Sequence, residues 1–431
     1  MVESESVPLS AEEPASAAGA HAHRLLGLLF AVGLVNYVDR VAMSVLQVPI
    51  KAELMLSDEQ IGLLMGFAFF LPYTMLSIPM ARLADRTNRK AILVCALIVW
   101  SGMTFAVGLV GSFLVLLLLR VGVALGEACC LPTSYSLIAD SYPKRSHGRA
   151  IAILGSTFPL GSMIGLIMSG HLGAELGWRG AFFVIGGVGL CLVPLVVIGL
   201  REPARLSGVN GLPAPAPKLT TALGDIWRRK AFRYCILGLG MQSIVSITLL
   251  TWAAPFYSRS FNLGLGQVAV LVGLGMAGAG AIGTLGGGLL GDRIAKDRPS
   301  RIMLLPACAA LIATPIAMLQ FLTEKLVVSI GAALVASIFA NAYLAPCNAV
   351  IQRLALPGTR ALAAAVGVTA AAVLGGGIGP WGAGRLSDYL SGLTDSSAQG
   401  LRFAIVIFIL AGVLSSYFFS LSARHLKHED R

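Results

Sequence analysis

ARLADRTNRK, residues 81–90, closes one apolar run, and GLLGDRIAKD, residues 288–297, closes another. Both contain Leu-x-Asp-Arg, which sets Asp85 against Asp292 at a shift of 207. A second echo links LPTSYSLIADSYPKRSHGRA (131–150) to APCNAVIQRLALPGTRALA (345–363), pairing Pro132 with Pro346 and Arg149 with Arg360 at shifts of 214 and 211. Three landmarks at nearly one spacing mark a duplicated unit.

Working outward, the chain of 431 residues is 56% hydrophobic and only 12% charged, whereas soluble domains carry about 25% charge. Its apolar runs reach about 20 residues without strand-like alternation, which predicts transmembrane helices rather than a barrel. Twelve spans are expected, in an all-α integral membrane fold of two pseudo-symmetric six-helix bundles. The bundles would occupy residues 24–200 and 232–424. A Pro-, Gly- and charge-rich cytoplasmic linker at 201–231 would join them, with a disordered cytoplasmic tail at 1–23 and a short one at 425–431.

Lys and Arg divide 24 to six between the two sides of this layout, with both termini on the richer side. Basic residues stay cytoplasmic, so both termini are expected there. The net charge of +11 is then a topology signal, and a nucleic-acid partner is not expected. The polar, acidic start has no signal-peptide pattern. The absence of an Asn-x-Ser/Thr sequon favours a bacterial inner membrane. The seven cysteines fall in spans without metal-ligand spacing and read as packing residues. No cofactor and no metal site are expected, and the chain reads as a monomer.

These motifs resemble the major facilitator superfamily. ARLADRTNRK is similar to its loop motif Gly-x-Leu-Ala-Asp-Arg-x-Gly-Arg-Arg, with Ala81 and Asn88 where glycine is usual. Gly288, Leu290, Asp292 and Arg293 match in the second half, and Asp140, Pro143, Arg145 and Arg149 resemble the motif after span four. NYVDR (36–40) and RVGVALGEACCLPTSYSLIAD (120–140) further resemble the spinster family of proton-linked lipid transporters. The resemblance implies a latch at the cytoplasmic ends, formed from Asp85, Arg86, Arg89, Asp140, Arg149, Asp292 and Arg293. The alternative is that these residues only mark topology.

A charge at mid-membrane costs about 2.5–3.5 kcal/mol, so the charges inside spans one and four need a reason. Asn36, Asp39, Arg40 and Ser44 share one helical face, and so do Arg120 and Glu127. Asp39 and Glu127 read as proton carriers facing an aqueous vestibule, with Arg120 biasing them. A desolvated carboxylate holds its proton more tightly, and a nearby cation loosens that hold. Arg40 would pair locally or snorkel outward. The competing reading is a static buried ion pair.

The second half offers neutral polar groups instead. Gln242 and Ser246 in span seven, with Asn341 and Asn348 in span ten, join Arg40, Asn36, Tyr37 and Ser44 as candidate cavity residues. Interhelical glue is the alternative for the neutral ones. Lacking ATPase or metallohydrolase motifs, the chain reads as a proton-coupled secondary transporter working by alternating access. Its expected partners are protons, the bilayer and a small amphipathic substrate, such as a lysolipid, a sphingoid phosphate or a hydrophobic drug-like compound. The alternatives are a proton-linked carrier of small organic acids or sugars and, in another class, an intramembrane lipid-modifying enzyme.

Overall fold

The computed structural model describes residues 15–203, 219–355 and 359–429, and among these every regular element is helical. Among the described residues, eleven stretches are long and apolar enough to cross a membrane. One of them, Ser146–Gly199, has 54 residues and makes two crossings. It folds back at Gly177, whose φ of +71° suits a residue without a Cβ. Twelve spans result, as expected.

Span one is Ala15–Glu53. Span two is Asp58–Met65 followed by Phe67–Arg86, and span three is Arg89–Val107. Span four is Phe113–Glu127 and Cys130–Ser141. Spans five and six take Lys144–Gly155 and Thr157–Gly199. In the second half, span seven is Lys230–Phe261 and span eight runs from Leu265 to Asp297. Span nine is Leu304–Leu322, and span ten is Leu326–Asn341 and Leu344–Leu354. Span eleven runs from Arg360 to Thr394, and span twelve is Ser397–Ile409 and Ala411–Glu429.

The duplication is visible in where helices break. Spans four and ten both interrupt just before a proline, Pro132 and Pro346. Each ring removes the donor that would reach the carbonyl four residues back, at Ala128 and Ala342. Spans eight and eleven each contain a π-helical stretch, Leu271–Ala277 and Ala371–Ile378. Their counterparts in the first half, spans two and five, interrupt at Gly66 and Ser156.

Among the described residues, three hydrophobic cores organise the packing. One holds residues of the first half alone, among them Leu29, Leu97, Trp100 and Ile138. Another holds residues of the second half alone, among them Phe232, Ile236, Val350 and Phe419. Both lie toward the end of the molecule that carries the termini. The third, at the far end, draws on both halves, with Leu46, Ile61 and Leu166 beside Trp252, Phe256 and Ala269. The two halves are thus joined at the far end and keep separate cores near the termini.

Three boundaries differ from expectation. Span one starts at Ala15 rather than after residue 23, because the alanine-rich ASAAGA has high helix propensity. The expected linker contains a helix, Leu219–Arg228, whose LTTALGDIWR pattern is amphipathic at the helical period. Residues 204–218 of that linker lie outside the described residues. The last helix continues to Glu429, into the segment expected to be a tail.

Candidate functional site: a buried charge cluster in the first bundle

Four charged side chains meet inside the first bundle. Arg40 donates from Nε and Nη2 to Glu127 Oε2, at 3.0 and 2.8 Å. Span one starts at the terminal end, so its side chains lean that way; this lets Arg40 reach back to Glu127, which lies closer to that end than Arg120 does. Arg120 makes no such pair. Its Nη2 donates to the Arg40 carbonyl at 3.3 Å, and its Nε has no protein partner. Asp39 accepts a hydrogen bond from Thr104 Oγ1 of span three. Arg40 is thus the residue that grips Glu127, with Arg120 standing near both acids.

An aromatic wall holds the guanidiniums. Arg40 stands 5.1, 5.0 and 4.7 Å from the ring centres of Tyr37, Phe69 and Tyr73. Arg120 stands 4.6 Å from Phe69, so one ring serves two cations. Such contacts are worth roughly 0.5–2 kcal/mol each, toward the upper figure when desolvated. Tyr37 also meets Phe158 of span five edge-on at 5.2 Å.

The acids are not open to a vestibule in this state. Asp39 is 2% exposed, Glu127 0% and Arg120 5%, whereas the Arg40 side chain is 18% exposed. Arg40 is thus the accessible edge of the cluster, and Glu127 sits behind it. Asn36 lies buried beside Glu127. Ser44 is also buried and bonds to its own helix, at Val41 O.

The neutral groups of the second half are mostly structural here. Gln242 Nε2 donates to Ala340 O of span ten at 3.1 Å, which is the glue reading. Asn341 Nδ2 donates to Ser337 O within its own helix at 2.9 Å, beside the span-ten break. Ser246 is half-buried and Asn348 is exposed.

At the terminal end, Arg89 is buried and binds the Asp140 carboxylate. It also donates to Glu202 Oε1 at 2.7 Å and to Pro203 O at 3.0 Å. Glu202 additionally caps the start of span three through Lys90 N, a helix end that favours an anion. This joins spans three, four and six within one bundle. Arg86, Arg149, Asp292 and Arg293 are exposed. The side chains of Asp85 and Arg145 lie outside the described set.

Sequence reasoning missed Thr104, Phe69, Tyr73 and Glu202. Only Glu202, a charge in Arg-Glu-Pro directly after span six, carried a usable signal. It also missed the polar cluster around Asp58 at the far end.

The major facilitator superfamily profile matches residues 28–380. This chain belongs to that superfamily. It is 35% identical over 388 residues to an MFS-type efflux pump of Mycolicibacterium smegmatis, covering 90% of this chain and 89% of the relative. It is 30% identical over 289 residues to a probable sulfoacetate transporter of Cupriavidus necator, covering 64% and 66%. Its structure resembles that of a bacterial homologue of the human lysosomal transporter spinster, in an inward-facing and unoccupied conformation. The TM-score there is 0.88 at 28% identity, covering 95% of this chain and 98% of the other. The chain is a multi-pass membrane protein of a transporter family and is not an enzyme.

Proposed function

We propose that this transporter couples the movement of an amphipathic substrate to protons by alternating access, in a bacterial inner membrane with both termini cytoplasmic. The observation that carries the reading is a cluster of two acids and two guanidiniums deep in the first bundle, in which Arg40, paired with Glu127, forms the accessible edge. Arg40 is the movable partner. A buried carboxylate stripped of its cation is costly, and taking up a proton removes that cost. Exchange of Arg40 between Glu127 and an anionic substrate head then ties proton binding to substrate binding, while apolar walls accept the tail. Arg120 supplies a second cation on the same ring.

With the termini cytoplasmic, the shared far-end core lies outside and the separated cores lie inside, so this conformation is the inward-facing one. The terminal-end acids and cations, with Asp85 and Asp292, then form the latch of the opposite state.

The test is flux in proteoliposomes with a lysolipid panel, with and without a pH gradient. Asp39→Asn and Glu127→Gln are each expected to lose gradient-driven accumulation. Full proton dependence retained in both variants would overturn the reading. A second reading, small organic acids, is favoured by the sulfoacetate relative. Accumulation of sulfoacetate but of no lysolipid in the same vesicles would select it.

A further inference from the structure

Asp58 begins span two at the far end and is 1% exposed. Its carboxylate accepts from groups in both halves. Lys51 of span one reaches Oδ1 from its own half. From the other half, Arg259 of span seven donates through Nη1 at 2.7 Å and Nη2 at 2.6 Å, and Ser387 Oγ of span eleven donates at 2.7 Å.

A reciprocal contact runs the other way. The first helical residues of a span have backbone N–H groups without intrahelical partners. At span two, the Ser57 and Gln60 N–H groups are satisfied locally by a capping box. Those of Asp58 and Glu59 are satisfied only by Asp388 of span eleven, at 2.9 and 2.7 Å. The backbones are in direct contact here: a Cβ at Gly384 would run into the Asp58 carbonyl, and one at Gly62 into that of Pro380.

We propose that the Asp58 carboxylate is the latch of the outer gate, and that its charge sets the ratio of inward- to outward-facing states. Opening the far end strips Asp58 of Arg259 and Ser387, and strips the span-two N-terminus of Asp388. Lys51 stays with Asp58 throughout, because both belong to one half. Rehydration of the exposed groups offsets part of the loss, so the gate is firm but reversible. None of this requires the proton reading of the inner cluster, and its test uses neither protons nor substrate.

The test is a distance measurement by pulsed dipolar electron resonance on the full chain in lipid nanodiscs. Nitroxides are placed at Met55→Cys and Leu393→Cys, exposed on opposite halves at the far end. The exposed Cys95, Cys191 and Cys308 are replaced by serine in this background. The unlatched variants Asp58→Asn, Arg259→Gln and Asp388→Asn should each add a longer distance, with the closed-to-open ratio falling at least about tenfold. Lys51→Gln should leave the distribution unchanged. The proposal fails if Arg259→Gln or Asp388→Asn stays closed, or if Lys51→Gln opens the gate as far as they do. These two variants keep the test decisive should Asp58→Asn not fold.

Discussion

Glu127 is fully buried and owes its tolerated charge to Arg40. Replacing one partner of such a pair strands the other, at a cost of about 3–5 kcal/mol, whereas replacing both removes the stranded charge. Arg40→Ala is therefore expected to lower the thermal unfolding temperature in detergent sharply, and Arg40→Ala with Glu127→Gln to recover most of the loss. An additive double variant would refute the pairing. At this scale the sequence was legible for which charges lie inside the first bundle: Asp39, Arg40, Arg120 and Glu127 stand out as charges inside apolar runs. Their partners were not legible. Pairing depends on the direction each side chain leans and on Phe69 and Tyr73, which read in sequence as ordinary apolar residues of span two. Both acids are covered in this state, which the sequence could not show, since helical periodicity gives a face but not what covers it.

Spans are shaped by positions where hydrogen bonding or packing cannot follow the ideal helix. Pro132 and Pro346 interrupt spans four and ten at equivalent places, and the repeat made that legible once the prolines were aligned. The π stretches of spans eight and eleven were not legible, because small residues permit close packing without specifying register. Close approach between spans two and eleven gives a direct test. Gly384→Val puts a branched side chain against the Asp58 backbone, an overpacking that costs on the order of 1–3 kcal/mol and acts on the closed far end. Transport in proteoliposomes is expected to fall about tenfold or more. Gly331→Ala, where a Cβ meets nothing within 4 Å, should transport normally. Equal rates in the two would refute the close approach.

Across the whole molecule, composition and the two motif echoes disclosed twelve spans and a duplicated build. They could not disclose which end is shut, because that lies in contacts between halves more than 200 residues apart, such as Arg259 with Asp58.

The layout of one core per bundle and one common to both has a bearing on the covalent tether. Most of each bundle's cohesion is its own, and the surface that unites them is made by side chains rather than by the peptide joining span six to span seven. A gene severed between residues 203 and 219, with its two fragments co-expressed, should yield pieces that co-purify and still carry substrate. Fragments that never find each other would mean that the tether, and not the common core, keeps the pair in register.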